Sequence, residues 1–203
     1  MKRKLPFILL LSSILTLTAC SDTEVSSNIL DKEGIAPYEL SEKDQNLLAS
    51  FGITDNAQII SFRAPAEAAT LQVSVYQSNN GSSWEKIGGG AVSVGTSGKS
   101  PDQLSGTFTM RQHRDYSMEF HLDCSGHFSF ETEPITFGSE SVGSTMGFLE
   151  SFENIDLNAE IPVAVMLCDS GTRMPGCTPQ DYFDPSKFEG IDFAQAVTLE
   201  FSD

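Results

Sequence analysis

The chain has 203 residues, with 12 Lys and Arg against 28 Asp and Glu, and a formal net charge of −16. That balance argues against nucleic-acid binding, which needs basic patches to displace counterions from phosphates. It also sets the chain against anionic membrane surfaces. Sixteen Gly, 14 Phe and a single Trp, in short alternating segments with glycine-bearing turns, point to one all-β domain.

The first element is a leader. Lys2, Arg3 and Lys4 precede a mostly apolar run, residues 5–17. The run is too short to cross a bilayer as a helix, which takes about 20 residues. Its length and basic flank match a secretory signal. The run closes on Leu17-Thr18-Ala19-Cys20, an aliphatic residue, two small residues and a cysteine. This motif resembles the lipobox of bacterial lipoproteins. The resemblance implies cleavage before Cys20, diacylglycerol on the Cys20 thiol and acylation of the new amine. Two or three acyl chains anchor a protein stably where one does not. The expected location is therefore the extracytoplasmic face of a cell membrane or outer membrane. Loss of the leader removes three cations, leaving nine basic and 28 acidic residues and a net charge of −19. The lipid must then supply the membrane affinity. The expected division is 1–19 signal peptide, 20–38 lipidated flexible tether and 39–203 folded domain.

Residues 41–51 read as a helix. Ser41 is a suitable N-cap, Glu42 and Asp44 suit the positive helix start, and Gly52 suits the left-handed C-terminal cap. Leu47, Leu48 and Phe51 make one apolar stripe, which predicts a helix docked on a sheet edge. After this the period falls to two. Residues 58–64 predict a strand stopped by Pro65. Leu71, Val73 and Val75 predict a second, and Asn79-Asn80-Gly81 a turn. Trp84 to Ile87 begins the return strand, with Gly88-Gly89-Gly90 allowing a bulge. Residues 96–102 read as a loop.

Residues 104–111, 115–123 and 127–133 predict a three-stranded antiparallel meander. A two-residue turn at Ser125-Gly126 would set Leu122 opposite Ser129 and put apolar residues on opposite sheet faces. An odd-length loop pairs Leu122 with Phe128 or Phe130 and restores one apolar face. Residues 135–148 are rich in Gly and Ser and carry no clear period. Residues 160–168, EIPVAVMLC, predict a strand whose nearly continuous apolar run suggests a central position. Residues 178–188 predict short helical turns with Thr178 as cap and Pro179 at the first position. Residues 194–201 predict the last strand. Eight to ten strands without a repeat fit an antiparallel β-sandwich, Ig-like or jelly-roll-like, with one short N-terminal helix.

With Cys20 lipidated, Cys124, Cys168 and Cys177 remain, an odd number. Cys168 and Cys177 flank a turn-rich loop, so an exported protein could bridge them. Buried free thiols, or a bridge to Cys124, are the alternatives. The run from His121 through Asp123 and Cys124 to His127 has the residue types of a metal site. Strand parity nevertheless sends His121 and Asp123 away from the apolar face and Cys124 toward it, and a metal needs convergent ligands. Asp181, Asp184, Glu189 and Asp192 could offer oxygens to calcium, but acidic loops are usually just solvated.

No motif assigns catalytic residues. A G-x-S-x-G elbow is absent. Cys168 to Arg173 resembles the loop of cysteine phosphatases, with four intervening residues where that loop has five. Glu153 to Glu160 resembles the carboxylate strand of jelly-roll glucanases, but two residues intervene between its first acids where that family has one. Trp84 and Tyr76 could stack on a sugar or peptide; a lone Trp in a β domain more often packs in the core. The sequence reading is therefore a membrane-anchored extracytoplasmic lipoprotein with a non-enzymatic binding or interaction domain for a protein or glycan. A loop-built, carbohydrate-active surface hydrolase and a structural partner of an envelope complex are the alternatives.

Overall fold

Alternation of apolar and polar side chains builds two antiparallel sheets that bury their facing surfaces. A computed structural model describes residues 30–78, 81, 83–94, 103–124, 126–136, 142–171 and 174–203. The leader, Cys20, residues 21–29 and the 96–102 loop lie outside the described residues. The elements run β1 (Gly34–Pro37), α1 (Glu42–Ser50), β2 (Ala57–Arg63), β3 (Thr70–Ser78), β4 (Glu85–Ser93), β5 (Ser105–Gln112) and β6 (Met118–Asp123). Next come β7 (His127–Glu131), β8 (Gly143–Phe148), β9 (Glu160–Asp169), two 3-10 turns (Pro179–Phe183 and Pro185–Phe188) and β10 (Phe193–Ser202). One sheet has the order β1-β2-β5-β6-β7 and the other β4-β3-β10-β9-β8. The fold is an all-β antiparallel sandwich.

Parity fixes the core. Ile60 and Phe62 of β2, Phe108 and Met110 of β5, and Phe120 and Leu122 of β6 face Leu71, Val73 and Val75 of β3 and Val197, Leu199 and Phe201 of β10. All are essentially sealed from solvent. Phe62 meets Phe201 across the sheets at 5.7 Å between ring centroids. Phe120 stacks on Phe130 at 4.5 Å. The meander takes one of the two registers that parity allows: Leu122 pairs with Phe128 and Asp123 with His127, leaving three residues in the loop. A bulge falls just before the glycine run, whose three residues stay in regular register. Val75 pairs with Gly88 and Tyr76 with Lys86, so Ile87 is the extra residue.

Four expectations change. The domain starts before residue 39: Gly34–Pro37 is an edge strand, and Ile35 is fully buried opposite Phe62. A strand of four residues that ends on Pro37 has too short a pattern to stand out from a tether. The helix forms with the expected caps. Asp44 N–H donates to Ser41 Oγ, the Asp44 carboxylate accepts from Ser41, and Gly52 takes φ +71°. It does not dock into an edge, however. None of its residues is buried, and Leu47 and Phe51 are 58% and 68% exposed. The segment without a clear period contains β8, which pairs with β9. Finally, Cys168 and Cys177 are free thiols. Cys168 points into the sandwich with Met166 and Phe193. Cys177 packs on the outside of the same sheet with Val165 and Leu167. A β-sheet lies between the two sulfurs, so the expected bridge is not made.

Candidate functional site

The outer face of the β1–β7 sheet carries the side chains that parity excludes from the core. Thr109 and Arg111 of β5 stand beside Glu119 and His121 of β6. The register pairs Thr109 with His121 and Arg111 with Glu119. Above them lies α1, held away from the sheet by the capped turn that precedes it and by residues 51–56 that follow. The space between is a groove of about 690 Å³, within the usual range of small-molecule and peptide pockets. Leu40, Leu48, Ile53 and Ile59 form its apolar side, and Arg111, Glu119 and His121 its polar side.

The polar side is a chain of charge-assisted contacts. His121 Nε2 lies 3.1 Å from Glu119 Oε1, and His113 Nε2 lies 3.2 Å from the other Glu119 oxygen. Glu131 stands 3.9 Å from His113. Arg111 is half-buried among them, and its Nε–H is sealed from solvent with no hydrogen-bond partner. A buried donor left unmade costs about 1–3 kcal/mol, so a ligand carrying an acceptor gains once the Arg111 side chain turns to present it. The arrangement suits recognition of a group with an apolar body and an acceptor end.

The histidine run resolves as parity requires. His121 turns to Glu119, while His127 Nδ1 pairs with Asp123 at 3.3 Å and Cys124 Sγ turns to the Gly126 carbonyl. Among the described residues no group of three or more His, Cys, Asp or Glu is placed to hold a metal ion. The acidic residues near the 3-10 turns serve as local caps and partners. Asp181 accepts from Thr178 and from Lys187 Nζ at 2.6 Å, Asp184 accepts from Ser186, and Asp192 accepts from the Ser170 amide and hydroxyl.

Trp84 and Tyr76 sit in a second apolar cluster outside the β4–β8 sheet. There the 3-10 turns lay Tyr182 and Phe188 over Val165, Leu167, Ala194 and Ala196. Trp84 stacks on Tyr182 with centroids 5.5 Å apart, meets Phe188 edge-on, and donates its indole N–H to the Tyr182 carbonyl at 2.8 Å. Tyr76 Oη donates to Glu160 Oε1 at 2.5 Å, Tyr182 Oη to Glu160 Oε2 at 2.6 Å, and Thr198 Oγ1 to Glu160 Oε1 at 3.2 Å. Burial and the Glu160 carboxylate push both phenols above their ordinary range. The two aromatics are thus structural staples of a small core. They form no open platform, because their polar tips and one face of the indole are already engaged. Cys20, the expected lipidation site, lies outside the described residues.

Sequence reasoning missed Arg111 and Glu119. Their outward parity was readable in the meander, but outward charge normally means solvation, and only the position of α1 turns that face into a groove wall. Comparison with protein-family models, with curated proteins and with solved structures finds no match for this chain.

Proposed function

We propose that this chain is a lipid-anchored extracytoplasmic lipoprotein whose sandwich serves as a binding module, with the groove beneath α1 as its ligand site. The observation that carries the binding role is the unpartnered, solvent-sealed Nε–H of Arg111 on a groove with one apolar and one polar side. The Leu17-Thr18-Ala19-Cys20 motif supports the anchor. Exposed Leu47 on the neighbouring helix face extends the apolar surface that a protein partner would cover.

A photo-crosslinking residue at Leu48, expressed in the native cell, tests the reading. A discrete adduct is expected from Leu48 and none from Glu85, which is exposed on the opposite sheet. Arg111→Ala in the same chain should remove the adduct while leaving membrane retention unchanged. Equal labelling from both positions, or an adduct indifferent to Arg111, would refute the groove as the site.

A further inference from the structure

The inward faces of β3 and β10 are apolar until one end of the sandwich. Along β3 they run Leu71, Val73, Val75 and then Gln77; along β10 they run Phe201, Leu199, Val197 and then Gln195. Gln77 and Gln195 are register partners, so two carboxamides stand side by side where the pattern calls for aliphatic residues. Gln195 is 2% exposed, and neither its Oε1 nor its Nε2 has a hydrogen-bond partner. Both glutamines line a cavity of about 510 Å³ that opens between the sheets, with Phe193, Ile87 and Ile135 as its apolar surfaces. Glu133 and Asp192 line it too, and both are exposed.

An unmade amide in a core is costly, because each buried donor or acceptor left alone loses about 1–3 kcal/mol. Leucine or methionine would fill the same volume without that cost. An occupant that both donates and accepts resolves the conflict once the sealed Gln195 carboxamide turns into the cavity, because a carboxamide offers two donors and an acceptor in one plane. Hydroxyl groups do both. The apolar surfaces suit the C–H face of a ring. Hydrogen bonds from Ser170 hold the Asp192 carboxyl below its usual range, so this wall stays anionic at neutral pH and disfavours anions.

From this geometry we infer that the inter-sheet cavity at Gln77 and Gln195 is a second binding site, separate from the groove under α1, for a neutral hydroxyl-rich ligand of monosaccharide size.

Ligand-observed saturation-transfer NMR on the purified full-length protein tests it, with glucose and N-acetylglucosamine as neutral probes and glucuronate as the anionic control. At least one neutral sugar should bind saturably, and glucuronate should not. Gln195→Leu should weaken that binding roughly tenfold or more. Ile87→Arg, at a 43% exposed position on the cavity wall, should block it without touching the core, and so decides the matter if Gln195→Leu does not fold. Arg111→Ala should leave sugar binding intact, which separates this site from the groove. Three results would overturn the inference: no saturable neutral binding, meaning that ordered water alone occupies the cavity; equal binding of glucuronate; or binding retained in Ile87→Arg.

Discussion

At the scale of single residues, the cysteines carry the clearest chemistry. Cys168 is fully buried, and burial pushes its thiol up to about 12 from an ordinary 9.0. Cys177 is pushed up to about 11, again mainly by burial. Thiolate is the reactive form, so both should resist a thiol reagent at pH 8 in the native protein, while half-buried Cys124 reacts. In denaturant without reductant, all three should label. A count of one there would mean that a disulfide exists after all. The same shifts set a pH dependence. Between pH 9 and 12 the unfolded chain has shed these protons while the folded chain keeps them, so the unfolded state binds fewer protons. Stability must therefore fall as pH rises through that window. Urea midpoints at pH 8 and pH 11 measure it, and Cys168→Ala with Cys177→Ala should flatten the slope. The sequence showed the odd count and the turn-rich loop between these two residues. It could not show that Val165 and Leu167 share the outer face with Cys177 while Met166 and Cys168 point inward, because an almost unbroken apolar run has no visible parity.

At the scale of elements, legibility followed side-chain contrast. The meander was readable down to the odd parity of its loop because Leu104, Phe108, Met110, Phe120, Leu122, Phe128 and Phe130 alternate with polar neighbours. β8 was not, because GSTMGF offers little strand propensity and two glycines. One of those glycines, Gly147, is explained by close approach. A Cβ on Gly147 would collide with the Cys177 carbonyl oxygen and crowd the Cys177 carbonyl carbon and Thr178 Cα, so the strand must be bare where the chain passes into the first 3-10 turn. Gly147→Ala should cost about 1–3 kcal/mol, as overpacking does. Because the obstacle is backbone, no rotamer change relieves it. Gly88→Ala is the matched control: a Cβ there meets nothing within 4 Å, so its urea midpoint should stay near that of the parent chain. Equal midpoints for both variants would show that β8 does not lie against Cys177. The helix gives the opposite lesson. Its caps were legible because capping is local chemistry. Its docking was not, because an apolar stripe says that a face wants cover without saying what covers it.

At the scale of the whole molecule, charge and fold both bear on the proposed membrane attachment. The two sheets spend their apolar residues on each other and on the cluster around Tyr182 and Trp84. Among the described residues no helix is long and apolar enough to cross a membrane. Without the leader the chain carries −19, so anionic lipid repels it, and salt can only weaken that repulsion within a Debye length of about 8 Å at physiological ionic strength. If Cys20 is acylated as the leader motif implies, retention rests on hydrocarbon burial at about 0.8 kcal/mol per CH₂, which salt does not screen. The wild-type chain should therefore stay with the membrane fraction in 1 M NaCl and leave it only in detergent. Cys20→Ser should appear in the soluble fraction at every salt concentration and take up no alkynyl fatty acid. A peripheral protein held by charge would behave the other way, leaving the membrane as salt rises and ignoring the substitution. The two proposed binding sites should be indifferent to this change, because both are built from residues between Pro37 and Gln195, well downstream of Cys20. The Cys20→Ser chain should thus bind the neutral sugar as the parent does, and loss of binding there would tie recognition to the membrane and not to the sandwich.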